Sequence, residues 1–192
     1  MSGFIRRGQG VLVTLSGFEA DLLRSLASQL VELLRNEAAV PRDDVDPFEA
    51  MMDFSGPTTA PEDPVLHRLF PTAYVDDEEA AGEFRRFTEG GLRDGKAAAA
   101  ITIIDCLEEA GLPPELTEDG LMIDVELDEP TAETWMRSFT DIRLALATRL
   151  GVEDGDEEKW HALPDDDPRA QAHDIYEWIG WLQETIIEAL TA

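Results

Sequence analysis

Apolar and polar positions along the chain follow two periods. One repeats every three to four residues and predicts helices; the other alternates and predicts strands. The richest apolar stretch is Asp167–Leu190, where Tyr176, Ile179, Leu182, Ile186 and Leu190 share one helical face. Ile175, Trp178, Trp181 and Ile187 widen that face well beyond an ordinary stripe. Such a helix is wedged between other elements, or meets core on one side and a partner on the other. Asp167 suits its N-cap and Pro168 its first helical position.

The same reading orders the rest of the chain. Phe4–Arg7 and Val11–Leu15 flank Gly8-Gln9-Gly10 and predict a hairpin. Ser16-Gly17-Phe18-Glu19 matches a capping box and opens a helix to about Asn36, with Leu22, Leu26, Leu30 and Leu33 as its stripe and Leu23 and Leu34 broadening it. Asp63 and Pro71 bracket a short helix anchored by Leu66, Leu69 and Phe70. Asp76-Asp77-Glu78-Glu79 starts another, with Phe84 and Phe87 as apolar contacts, and Gly90-Gly91 divides it from a helix running from Leu92 to Ala110. Leu121–Leu127 alternates and predicts a half-buried strand. Asp128-Glu129-Pro130-Thr131 opens a helix faced by Trp135, Phe139, Ile142, Leu146 and Leu150, and Gly151 stands at its C-cap. The expectation is an α+β fold, predominantly α-helical. Five to six helices form a bundle around a small antiparallel β-sheet made of the N-terminal hairpin and one central strand. Residues 1–192 are expected to form a single domain, with acidic loops at about 37–62 and 152–166.

Composition sharpens this picture. A chain of 192 residues with 43% hydrophobic positions can fill a core. Its 42 acids against 15 bases leave a formal charge of -27. That field repels nucleic acid and anionic lipid and favours solubility or a basic protein partner. DNA binding would depend on Arg6–Arg7 and Arg85–Arg86, both small patches. Neither a signal peptide nor an apolar run of membrane-spanning length is present, so a cytoplasmic protein is expected.

Candidate chemistry is sparse. Gly90 to Ala97 approaches the phosphate-binding loop, but Ala97 replaces its hydroxyl and a helix precedes it where a strand is required. His67, His161 and His173 lack metal-ligand spacing, and the acidic loops lack the calcium-loop pattern. No catalytic or cofactor-binding constellation emerges, and no cofactor is expected. Cys106 is the only cysteine, so no internal disulfide can form. Ala99, Ile103 and Ala110 share its helical side, which predicts a buried, inert thiol; the competing reading is a redox thiol, slowed by Asp105, Glu108 and Glu109. Tyr176, Trp178 and Trp181 are candidate interface residues, and through them a homodimer is expected.

Four stretches together resemble one family. They are Phe18–Leu34, Glu62–Tyr74, Trp135 through Leu146, and Tyr176 through Glu184. The family is that of the AosR oxidative-stress transcriptional regulators of actinobacteria, long catalogued as a domain of unknown function and often encoded beside the ClpS adaptor. The resemblance implies a regulator, not a catalyst. In that family a pair of nearby cysteines is oxidised, and the protein then engages an extracytoplasmic-function sigma factor. This chain departs at that point, because Cys106 has no second cysteine to join. The leading expectation is a non-enzymatic regulator acting through protein contact with a sigma factor or the transcription machinery. The alternatives are an accessory factor of Clp-dependent protein turnover, suggested by gene neighbourhood alone, and a direct DNA-binding regulator.

Overall fold

A tight turn at Gly8, where φ is +62°, folds β1 (Ile5–Arg7) back on β2 (Gly10–Ser16). The computed structural model describes residues 2–36, 56–116, 120–164 and 166–192. The third strand, β3 (Met122–Asp128), pairs antiparallel with the far side of β2, giving the order β1-β2-β3. Ile5 faces Leu12, and β2 meets β3 in a register running from Gly10 opposite Asp128 to Ser16 opposite Met122. Gly10 is required by contact, since a Cβ there would lie 2.2 Å from the Leu127 carbonyl oxygen. Alternation then sorts the side chains. Val11, Val13, Leu15, Ile123, Val125 and Leu127 are buried, while Met122, Asp124, Glu126 and Asp128 stay exposed.

Six helices occur among the described residues: α1 (Gly17–Asn36), α2 (Pro64–Leu69), α3 (Glu78–Glu109), α4 (Glu129–Leu150), α5 (Glu157–His161) and α6 (Pro168–Thr191). Their starts follow the capping chemistry. Glu19 N–H donates to Ser16 Oγ at 3.2 Å while Ser16 N–H donates to Glu19 at 2.8 Å, the reciprocal pair of a capping box. Asp63, Asp77, Asp128 and Asp167 each accept backbone N–H groups at the first turn of α2, α3, α4 and α6. Gly151, at φ +70°, ends α4 in the left-handed conformation.

The buried face of the sheet meets Trp135 and Phe139 of α4 and Ile179, Leu182 and Ile186 of α6 in one core cluster. Phe4 packs edge-on to Trp135 at 6.1 Å, and Trp135 edge-on to Phe139 at 5.9 Å. The predominantly helical α+β fold with its small antiparallel sheet is the one expected.

Three local expectations are corrected. First, α3 passes unbroken through Gly90-Gly91. Each glycine costs the helix about 1 kcal/mol. Spanning them, Glu89 Oε1 accepts from Arg93 Nε at 2.9 Å and Nη2 at 2.7 Å, and Glu89 Oε2 accepts from Arg85 Nη1 at 2.5 Å. These three side chains are buried at 6%, 2% and 7% exposure for Arg85, Glu89 and Arg93. Arg85 also donates to the Phe70 carbonyl (3.1 Å) and Arg93 to the Leu34 carbonyl (3.2 Å), tying α3 to the ends of α2 and α1. Second, Phe84 and Phe87 are 44% and 63% exposed, because that half of α3 buries Gly82, Arg85 and Glu89 instead. Third, the buried stripe of α1 is Leu23, Ala27, Leu30 and Leu34, with Leu22, Leu26 and Leu33 only half-buried. Ala20 and Ala27 belong to the core face and turn it away from the leucine spacing.

Most of the expected acidic loop at 37–62 lies outside the described residues. The segment at 152–166 carries α5, whose Trp160 is buried.

Candidate interaction surfaces

Cys106 lies on the last turns of α3, half-buried. Ile103 and Leu107 turn into the core, and Cys106 and Ala110 pack at its margin. The thiol is therefore not sealed as the sequence suggested. It opens on a groove of about 440 Å³ lined by Arg7, Glu109, Ala110, Asp124, Val125 and Glu126. Burial pushes the thiol pKa up, and the charges of Glu109, Asp105 and Asp128 push it further. The nearby Trp135 indole, whose Nε1 has no hydrogen-bond partner among the described residues, partly offsets this. A thiol in such surroundings is a poor nucleophile at neutral pH.

Tyr176, Trp178 and Trp181 sit half-buried on α6, and both tryptophans pack against the chain's own core. Their remaining surface stays open, and Ile187 beyond them is 42% exposed. Tyr176 belongs to a ladder of rings and polar groups joining α4, α5 and α6. Trp160 stacks on His173 at 4.8 Å, and His173 meets Tyr176 at 5.7 Å. The Arg143 guanidinium lies 5.0 Å from the centre of the Tyr176 ring. Arg143 also donates to the Gln183 amide oxygen (3.2 Å) and the Tyr176 hydroxyl (3.3 Å), and Gln183 donates to Thr140 (2.6 Å). Gly180 leaves room for it, since a Cβ there would stand 3.1 Å from Arg143 Cζ. Sequence reasoning missed this ladder. Its only signal was that two of the family-like stretches contain Arg143 and Tyr176.

Other sequence candidates are dispersed. Gly90 to Ala97 lies within α3, and the Lys96 ammonium is held by Asp141 at 2.6 Å across to α4. A phosphate loop needs a strand before its glycines, and helical backbone N–H groups are occupied. His67 is exposed on α2, His161 closes α5 and His173 is buried under Trp160. Of the arginines proposed for DNA, Arg7 is paired with Glu126 at 2.6 Å and Arg85 is committed to Glu89. Among the described residues no group of three or more His, Cys, Asp or Glu side chains could hold a metal ion. No helix among them is long and apolar enough to cross a membrane.

Comparison with known proteins gives the family context. A protein of Mycobacterium leprae described as a putative oxidative stress regulator AosR is 30% identical over 188 residues, covering 91% of this chain and 79% of the relative. The oxidative stress regulators AosR of Mycobacterium bovis and Mycobacterium tuberculosis are 28% identical over 202 residues, covering 96% of this chain and 84% of each relative. No solved structure matches. The family profile described as "Domain of unknown function (DUF2017)" matches residues 1–190, and the chain belongs to that family together with its AosR relatives.

Proposed function

We propose that the chain is a non-enzymatic, cytoplasmic regulator of the oxidative-stress response that works by protein contact. The observation that carries this reading is the likeness to relatives named oxidative stress regulators across 91% of the chain. The partner is a basic protein of the transcription machinery, with a sigma factor as the first choice. The formal charge of -27 supports a basic protein partner over DNA, and the pairing of Arg7 and Arg85 with acids removes half of the small basic patches.

Two surfaces serve this reading. The open sides of Tyr176, Trp178 and Trp181 form the contact of a homodimer or of the partner, since half-exposed aromatics beside a core are common anchors. Cys106 is the one thiol that oxidant could reach, and its product would be a bond to another molecule.

Co-purification from the native cell, with and without peroxide, tests the proposal. Recovery of a sigma factor or RNA polymerase subunits is the expected result. Their absence under both conditions would sink it.

A further inference from the structure

The outer edge of the sheet has the features of a strand-docking site. β3 is seven residues long, and its side away from β2 pairs with no strand among the described residues. Gly17 N–H donates to the Leu121 carbonyl at 2.7 Å, which fixes the phase of the ladder. In an antiparallel pair hydrogen-bonded and open positions alternate. Ile123, Val125 and Leu127 therefore bond to β2, and Met122, Asp124 and Glu126 direct their backbone N–H and C=O groups outward. An unpaired edge of this length is a template for another strand.

The groove bordering that edge sets the chemistry of the occupant. Asp124 and Glu126 stand on the solvent face of β3, and Glu109 of α3 lines the same groove. Among the described residues its one cationic lining residue, Arg7, is bound to Glu126 in an ion pair whose side chains are 58% and 63% exposed. An ion pair that open to solvent is worth little and exchanges readily. Ala110, Val125 and the Cys106 thiol line the same groove between these carboxylates. Burial is the main cause of the raised Cys106 pKa, and the further push from Glu109, Asp105 and Asp128 accords with the same negative field.

Charge disfavours a second copy of this chain at this edge. A two-fold β3–β3 pair would set carboxylates of Asp124 and Glu126 beside one another, and like charges across strands destabilise. We propose that an extended segment of a basic protein partner adds to β3 as a fourth strand. Its alternate lysines or arginines face Asp124 and Glu126, and its intervening small apolar side chains enter the groove over Cys106 and Ala110. Main-chain hydrogen bonds then supply affinity, and the alternation supplies specificity. This deepens the protein-contact reading by naming the surface and the class of segment, and it rests on that reading for its partner.

The test uses the full chain and a synthetic seven-residue peptide of alternating lysine and valine with blocked ends. Two controls are the alternating glutamate and valine peptide and a lysine peptide with proline at its centre. Fluorescence anisotropy at low salt should give binding of the lysine–valine peptide alone. Binding should weaken about ten-fold in the Asp124→Lys/Glu126→Lys variant, from two reversed cross-strand charge contacts. Hydrogen exchange on the unaltered chain should slow at the Asp124 and Glu126 amides when the peptide is added, and Cys106 should be shielded from maleimide. Equal binding of the proline peptide overturns the proposal, because attraction alone would then explain it. So does unchanged exchange at those two amides, whereas the regulatory reading stands or falls on co-purification.

Discussion

Replacing Glu89 by leucine should be among the most damaging single changes in this protein. Glu89 accepts three hydrogen bonds from two guanidinium groups, at 2.5, 2.7 and 2.9 Å, and is 2% exposed. Leucine fills similar space but leaves Arg85 and Arg93 charged, buried and repelling each other. Removing one member of a buried ion pair costs about 3–5 kcal/mol. Three charge-assisted bonds at about 1.5–3 kcal/mol each would suggest more. The lower figure holds because both arginines keep carbonyl partners, Phe70 and Leu34, and Arg93 keeps its place 4.9 Å from the Phe70 ring centre. At roughly 2–4 °C per kcal/mol for a chain of this size, Tm should fall by about 6–20 °C. Urea unfolding followed by circular dichroism measures the free energy, and calorimetry measures Tm. The triple variant Arg85→Met/Glu89→Leu/Arg93→Met should recover most of the loss, because removing every charge removes the desolvation cost too. If Glu89→Leu alone costs less than about 1 kcal/mol, the three side chains do not act as a buried unit and the reasoning fails.

Three further outcomes are expected. Gly91→Ala should raise stability by about 0.5–1 kcal/mol, since its Cβ meets nothing within 4 Å in a helical position; Gly180→Ala should yield no such gain, because its Cβ presses on Arg143, and equal gains in urea titrations would contradict the helix packing. The alkylation rate of Cys106 should rise with pH to a midpoint above the ordinary 9.0, and Glu109→Gln should lower that midpoint; a wild-type midpoint at or below 9.0 would contradict the acidic, desolvated setting. The hydrogen bonds from Arg169 hold the Asp167 carboxyl at about 2, against an ordinary 3.8. A carboxyl lowered in the folded state stabilises above its unfolded pKa and loses that effect as pH falls through its folded one. Asp167→Ala should therefore flatten the stability loss between about pH 4 and 2, read by circular dichroism, and an unchanged acid slope would contradict the cap.

Where a feature is decided by neighbours in the chain, the sequence revealed it. Ser16 and Glu19 form the capping box that their spacing predicts, and β3 buries the alternate residues Ile123, Val125 and Leu127. Asp63 and Pro64 start α2 for the same local reason. Features decided by distant contacts were misread. Gly90-Gly91 look like a break until Glu89 and Arg93 are found buried against α1 and α2. The leucines of α1 suggest a face that Ala20 and Ala27 rotate. Of the candidate surfaces, Cys106, Tyr176, Trp178 and Trp181 could be named but not their setting. Arg143 was invisible because its partners Tyr176 and Gln183 lie 33 and 40 positions away.

The hairpin is joined to α6, which lies far from it in sequence. Phe4 N–H donates to the Thr185 hydroxyl across 181 positions, and Arg6 reaches the Leu190 carbonyl across 184. On the ribosome, β1 and β2 emerge well before β3, which extends them, and before α6, which covers them. Val11, Val13 and Leu15 then lack their full cover until α6 has followed. Pairing over such separations slows folding and prolongs the exposure of strand edges. The interval between the emergence of β2 and that of α6 is thus the one in which these strand edges are most exposed to mispairing.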